Sequence, residues 1–371
     1  MTGLHIRRLD LHNFRNYAEL SLCPDPGITV LTGSNAQGKT NVLEAIHLCC
    51  IGRSHRTSRD EELIRWGEQT ANVRIEAEKN DGTHEIAVFL TQEGKKKKIV
   101  RVGASPVTRI GELMGHINGV LFAPEDLRLV KEGPAERRRF LDMELSQFRP
   151  AYFYALQRYV RALNQRNGLL RQLCIHPSPS LRETLQTWSD VLAQAGVEIV
   201  RHRAQFILAL DREAQEIHAS LSDGREKLQL SYISPLADAQ DIYERFQRLL
   251  QEAAAEDLRR TTTTVGPHRD DLRLVLDGHD ARNYGSQGQQ RTVALSLKLA
   301  ELEVMRQERN EAPVLLLDDV MSELDPQRRR LLLRRIAHVQ TLVTCTHVSD
   351  LADAACGAVY EVKDGRLQQK K

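Results

Sequence analysis

This sequence predicts an α/β protein whose sheet-forming core is drawn from both ends of the chain, with a mainly helical segment inserted between. Three observations carry that expectation. A β-branched run near the N-terminus ends in a glycine-rich turn and leads into a helix-like stretch ("GITVLTGSNAQGKTNVLEAI"). A second apolar run, "VLLLDDV" at 314–320, returns near the C-terminus. Between them, from about residue 125, the text becomes charged and rich in Arg, Glu, Gln and Leu, and the two-residue alternation of strands disappears.

Each element follows in order. Residues 4–22 alternate roughly apolar and polar, as half-buried strands do. "GITVLTG" is a short β-branched strand ending in glycine, and in the helix after it Val42, Ala45, Ile46, Cys49 and Cys50 recur at helical spacing until Gly52 stops the run. Between 70 and 110 three strands are expected ("ANVRIEAE", "HEIAVFLTQ", "KKIVRVG"), with turns at Asn80-Asp81-Gly82 and Glu93-Gly94. The helical insert is broken into two long arms by "HPSPS" at 176–180, and "SDGREKLQLSYISP" reads as a short strand pair. Strand texture resumes with "DDLRLVLDGHDARNY", followed by a long helix over 287–309, the strand "APVLLLDDV", a helix over 326–337 and the strand "VQTLVTC".

Composition narrows the classes. At 371 residues the chain is long enough for two or three domains, and 41% hydrophobic with 27% charged residues fits a packed core under a polar surface. The formal net charge of +2 means that any basic surface is local. The six cysteines, at 23, 49, 50, 174, 345 and 356, form no C-x-x-C pair, which argues against a zinc ribbon or a disulfide framework and fits a reducing compartment. Charges interrupt the N-terminus too often for a signal peptide, and no apolar run reaches the ~18 residues of a membrane span. A cytoplasmic protein is expected.

Two segments carry recognisable chemistry. "GSNAQGKT", comprising Gly33, Ser34, Asn35, Ala36, Gln37, Gly38, Lys39 and Thr40, fits the phosphate-loop spacing and lies where it must, between a strand and a helix. Its backbone N–H groups can curl around phosphate oxygens, Lys39 supplies charge to the β- and γ-phosphates, and the Thr40 hydroxyl can ligate Mg²⁺. The strand at 314–318 ends in Asp318 and Asp319. The first is placed to hold Mg²⁺ and the second to orient or deprotonate an attacking water.

A further turn, Ser286, Gln287, Gly288 and Gln289, stands at the start of the long helix, where free N–H groups and the helix dipole can grip a second phosphate. "YGSQGQQR" resembles the signature turn of ABC-type ATPases, which in that superfamily closes on the ATP held by another subunit. With "LHNFRNY", "FAPEDLRLVKEGPAERRRFLD", "GPHRDDL" and "LLLDDVMSELD", the chain is closely similar from residue 11 to 325 to the bacterial RecF family of recombination mediators, which are SMC-like members of that superfamily.

The resemblance implies an ABC-type P-loop ATPase head over 1–128 and 258–371 and a helical arm domain over 129–257. It implies a slow, DNA-stimulated ATPase using ATP and Mg²⁺, which forms an ATP-dependent homodimer on single-stranded, gapped or junction DNA. It also implies help to partner proteins in loading recombinase during recombinational repair and the SOS response, in the cytoplasm and at the nucleoid when on DNA. It gives His347 the place of a residue that senses the γ-phosphate. Two departures stand out. Asp319 replaces the usual Glu, which sets the acid further from the water and predicts slow turnover. "FAPEDL" occupies the place of the usual Q-loop glutamine, with Glu125 as the nearest acid or amide.

For DNA, Arg53, Arg56 and Arg59 in "IGRSHRTSRD" follow the nucleotide helix, Lys95 and its neighbours to Lys98 sit at a hairpin tip, and "ERRRF" at 136–140 opens the arm. Exposed cations of this kind can displace counterions from phosphates, whereas the plainer reading of any one run is a solvated face. "GPHRDDL" fits no metal-ligand spacing and is read as a structural corner. Rival classes make other demands. A transporter motor has no long arm, and a metabolite kinase has no second turn at 286–290.

Overall fold

The computed structural model describes residues 3–94, 96–351 and 356–370. They fall into two compact units, each interrupted in sequence. The first runs through Leu127, takes up Ser220–Gly224 and resumes from Ala294, and the second comprises Arg128–Ala219 and Arg225–Val293.

In the first unit, β1 (His5–Phe14) and β2 (Tyr17–Leu22) form a hairpin, and β3 (Ile28–Thr32) leads through the glycine-rich loop into α1 (Lys39–Ile51). Next come β4 (Thr70–Lys79), β5 (Gly82–Thr91), β6 (Lys98–Val102), the short β7 (Ser105–Pro106) and β8 (Gly119–Phe122). In β1 the buried residues step from Ile6 to Leu9 and then Leu11, which a strict two-residue period does not allow. A bulge between Ile6 and Arg8 against β4 restores the phase.

The second unit holds α2 (Arg128–Lys131), α3 (Pro134–Phe148), α4 (Pro150–Ile175) and most of α5 (Pro179–Leu221). It continues with β9 (Leu228–Ile233), α6 (Ile242–Glu252), α7 (Ala254–Arg260), β10 (Asp271–Leu276), β11 (His279–Asp280) and α8 (Ala281–Tyr284). The chain leaves this unit within α9 (Gln287–Arg309) and completes the first with β12 (Val314–Asp318), α10 (Pro326–Arg335), β13 (Thr341–Cys345), β14 (Cys356–Lys363) and β15 (Arg366–Lys370).

Two sheets organise the first unit. One is antiparallel, in the order β2-β1-β4-β5-β6-β7, and the other runs β15-β14-β3-β13-β12-β8 with its central strands parallel. Helix α1 contacts β4 and β5 of the first and β8, β12 and β13 of the second. That explains why the helix is buried around its whole circumference rather than along one stripe. The apolar strands β3 and β12 are buried from end to end, as strands in the middle of a parallel sheet must be.

In the second unit α4 buries Tyr152, Ala155, Tyr159, Ala162, Arg166, Leu170 and Leu173 on one face at three- and four-residue steps. Two buried arginines are well partnered there. Arg166 Nη1 donates to Asp257 (2.7 Å) and Thr263 (2.7 Å), and Arg203 donates to Asp142 and to the Pro267 carbonyl (both 2.7 Å). Removing one member of such a pair strands the other, at a cost of about 3–5 kcal/mol.

Three expectations are revised. The segment 258–293 clusters with the helical insert instead of the ATPase head, because β10 pairs with β9 along its whole length. "SDGREKLQLSYISP" supplies one strand, β9, whose partner comes from "DDLRLVL" rather than from a local hairpin. Within "ERRRF", Arg137 is no solvated cation. It is buried and grips Asp271 through two parallel 2.8 Å bonds, while Arg138 donates to the Asp270 carbonyl. "GPHRDDL" thereby becomes the corner it resembled, with His268 on Tyr159, Asp270 on Tyr232 and Asp271 on Arg137.

Candidate nucleotide site

The loop between β3 and α1 keeps its shape through glycine. Gly38 has φ +113°, and an added Cβ would lie 2.6 Å from the Asn16 side chain. Asn16, from the turn between β1 and β2, holds the loop from outside by donating to the Gln37 carbonyl (2.8 Å) and accepting from Asn41 (2.8 Å). The buried hydroxyl of Tyr17 donates to the Gly38 carbonyl at 3.1 Å. The front motif "NFRNY" is thus the outer wall of the phosphate loop.

Lys39 is buried, and its Nζ donates to the carbonyls of Gly33 (2.5 Å) and Ser34 (3.1 Å). The ammonium is held at the mouth of the loop by groups that carry no full charge, so a phosphate can recruit it without breaking an ion pair. Thr40 Oγ1 donates to Asp318 Oδ1 at 2.9 Å, joining the start of α1 to the end of β12. Thr344, paired with Asp318 across β12 and β13, donates its hydroxyl to the same oxygen at 2.6 Å and accepts the Asp319 N–H at 2.9 Å. Burial pushes Asp318 above the ordinary carboxylate range. Hydrogen bonds from Thr344 and Thr40 oppose that rise, and the nearby charges of Asp319 and Glu125 add to it. Asp319 sits in the left-handed region at φ 55°, with its Oδ1 buried and without a hydrogen-bond partner among the described residues.

These residues line a cavity of about 790 Å³, together with Arg15, Arg56, Arg65 and Trp66. Of the loop residues, Asn35, Ala36, Gly38, Lys39 and Thr40 line it. Gly33 and Ser34 serve through their carbonyls, and Gln37 accepts the Asp364 N–H (2.7 Å). His347 is exposed just beyond β13 and is not in the lining.

Arg56, raised from sequence as a DNA contact, belongs to this wall. Its Nη1 reaches Asn41 (2.9 Å) and Glu44 (3.4 Å), and like Arg53 and Arg59 it is exposed. Lys95 lies outside the described residues. Glu44 is fully buried under a two-bond grip from Arg15 (2.7 and 2.9 Å) and a bond from Ser54 (2.5 Å). Burial alone would raise its pKa, but the bonds from Arg15 and Ser54 and the charges of Arg15 and Arg56 outweigh that and hold it below its ordinary value.

Sequence reasoning missed Arg15, Thr344 and Trp66. The first two take part through contacts spanning 29 and 26 residues. Trp66 is 96% exposed, on a loop ending in Gly67 at φ +88°. Its exposure and its place on the cavity are properties of the fold, and no local pattern in the sequence signals them.

In the second unit, Ser286 caps α9 reciprocally. Its N–H donates to Gln289 Oε1 (2.8 Å), and the Gln289 N–H donates to Ser286 Oγ (3.3 Å). The spacing of "SQGQ" is therefore a capping box as well as a candidate phosphate turn. The N–H groups of Gln287 and Gly288 have no acceptor among the described residues, and a Cβ on Gly288 would meet open space.

A phosphate loop and an acidic strand end, joined through Thr40 and Thr344 on a parallel sheet and followed by a helical unit, define a P-loop ATPase-type head with an inserted arm. Residues 5–368 match the family described as RecF/RecN/SMC N terminal domain, and the chain belongs to that family, on its RecF branch. The DNA replication and repair protein RecF of Clostridium perfringens (strain SM101 / Type A) is 41% identical over 367 residues, covering 98% of this chain and 100% of that protein. The protein of the same name from Halalkalibacterium halodurans is 43% identical over 375 residues, covering 99% and 100%. A solved structure of the recombination mediator protein RecF-ATPrS in the RecFOR pathway aligns with a TM-score of 0.92 at 33% identity, covering 100% of this chain and 99% of that one. An Smc head domain with an extended coiled coil from Pyrococcus furiosus shares the fold, with a TM-score of 0.59 at 18% identity.

Proposed function

We propose that this protein binds ATP with Mg²⁺ in the cavity above α1, pairs with a second copy across the bound nucleotides and so closes on DNA, with slow hydrolysis reopening the pair. The observation that carries the nucleotide half is the convergence of Lys39, Thr40 and Asp318, with Thr344 binding Asp318 from the next strand. The donor set fits the groups it would hold. Lys39 with the loop N–H groups suits polyphosphate, and the hydroxyl and carboxylate of Thr40 and Asp318 are hard oxygen ligands of the kind Mg²⁺ takes. Thr40 and Asp318 would hold the ion, which supplies charge neutralisation on the phosphates when bound. Among the described residues no three acids, histidines or cysteines cluster to hold a metal.

The chain's own residues then act in turn. Lys39 exchanges its carbonyl partners for phosphate oxygens. Asp319, with one unspent oxygen and a short side chain, accepts from the attacking water at long reach, which makes hydrolysis slow and suits it to timing. His347 is assigned to sensing the γ-phosphate once a partner closes over it. Ser286 and the N–H groups of Gln287 and Gly288 meet the nucleotide of the other copy, because a helix start favours an anion. The names of the relatives support the biological setting of DNA replication and repair and recombination mediation, with assistance to other mediator proteins. Among the described residues no helix is long and apolar enough to cross a membrane.

Solution mass by light scattering, apo and with ATP and Mg²⁺, tests the pairing on wild type and Ser286→Asp. Aspartate keeps the helix cap but puts a carboxylate where phosphate would come. Doubling of the wild-type mass with ATP, lost in the variant, supports the reading. A wild type that binds ATP and stays monomeric with DNA present refutes it.

A further inference from the structure

Helix α4 is unusual in charge for its length. The protein has 50 acids in 371 residues, so a stretch of 26 would ordinarily hold three or four, yet α4 contains none and carries four arginines. Two of these are used internally. Arg166 is buried on Asp257, and Arg158 pairs with Glu198 at 2.6 Å. Arg161 and Arg171 are exposed, with no carboxylate in ion-pair range among the described residues.

The helix turns these two outward together. At 100° per residue the buried side is centred on Tyr159 and Arg166, and the opposite stripe holds Gln157, Arg161, Asn164, Gly168 and Arg171. The exposed amides of Gln157 and Asn164 have no hydrogen-bond partner among the described residues. Gly168 lies in the middle of the stripe, and a Cβ there would touch nothing within 4 Å. A mid-helix glycine costs roughly 1 kcal/mol against alanine, and no packing contact accounts for this one. It leaves a flat place where another backbone can come close.

Resting on the proposal that the protein acts on DNA, we infer that this stripe of α4 is a docking surface for a nucleic-acid sugar-phosphate backbone, read without base specificity. Arginine and amide side chains are the groups that bond phosphate and sugar. Arg161 and Arg171 are ten residues apart, about 15 Å along the axis, which is four to five charges of one strand at about 3.4 Å each. A second copy of this face is a poor occupant, since a two-fold contact would set arginine against arginine with no acid on either side. The exposed apolar side chains, Tyr154, Val160 and Ile175, are too scattered to form a protein-binding core.

The test uses the full chain with ATP and Mg²⁺. Binding of a fluorescent gapped duplex is measured by anisotropy across about 50–200 mM salt for wild type, the double variant Arg161→Gln with Arg171→Gln, and Gly168→Glu. The double variant is expected to bind about tenfold more weakly. Its slope of log affinity on log salt is expected to shrink by about 1.8, at about 0.9 for each phosphate that is no longer neutralised. Gly168→Glu is expected to weaken binding further, and both variants should keep wild-type ATP affinity. Wild-type binding with an unchanged slope in the double variant overturns the inference and leaves the functional reading standing. Loss of ATP-dependent mass doubling without a change in slope assigns the stripe to protein contact and also overturns it. A wild type that binds no DNA overturns both.

Discussion

Replacing Thr344 by valine keeps the shape of the side chain and removes one hydroxyl. That hydroxyl donates to Asp318 at 2.6 Å and accepts the Asp319 N–H at 2.9 Å. A hydrogen bond to a charged group contributes about 1.5–3 kcal/mol, and a stranded buried N–H costs about 1–3 kcal/mol. Partial relaxation of the strand ends makes a stability loss of about 2–4 kcal/mol the expected total. Binding changes for a second reason. Asp318 is already raised by burial, and Thr344 is the first group opposing that rise. Without it the carboxyl holds its proton to higher pH. Since only the ionised form ligates a cation, Mg²⁺-ATP affinity falls as pH drops through the Asp318 value, and the variant moves that fall upward. Mg²⁺-ATP binding in Thr344→Val is therefore expected to be weaker than wild type, with the deficit growing as pH falls. Titration with a fluorescent ATP analogue from about pH 6 to 8, with Mg²⁺ and with chelator, checks this. Thr344→Ser should restore most of the loss. Affinity within twofold of wild type throughout this range, for a folded Thr344→Val, would refute the coupling.

Trp66→Ala is expected to leave the melting temperature unchanged, since the indole is almost fully exposed, and to weaken ATP by about 1–3 kcal/mol through lost base stacking. Inorganic triphosphate, which has no base, should bind both proteins alike. Lys39→Ala removes the buried ammonium at the loop and should cost about 2–3 kcal/mol in ATP binding, read by calorimetry, while the fold persists. His268, lowered to about 4 by burial, is neutral in the fold and gains a proton on unfolding near its ordinary value of 6.5. Its contribution is therefore present above 6.5 and is lost as pH falls toward 4. His268→Gln should flatten the acid limb of a denaturation series by about 3 kcal/mol.

The sequence by itself determined the parts whose cause is local. The phosphate loop is legible because glycine spacing, a preceding strand and a following helix all concern one short stretch, and α9 occupies the expected 287–309 because its capping box and periodicity are local as well. The acidic end of β12 was readable for the same reason, an unbroken apolar run ending in two carboxylates. Only the tertiary structure decided what those carboxylates touch. Thr344 reaches Asp318 because β13 is the parallel neighbour of β12, and no pattern along the chain encodes that register. Arg15 and Arg56 meet on Glu44 because the β1–β2 turn and the loop after α1 both fold back over the same helix, which sets both on the lining of the nucleotide cavity. Arg137 changed from a surface cation into a buried clamp on a strand 134 residues away. The boundary between the two units moved in the same way, since β9 recruits β10 by pairing and not by proximity in sequence. Periodicity reports which face a residue takes, whereas partners are set by which elements pack side by side.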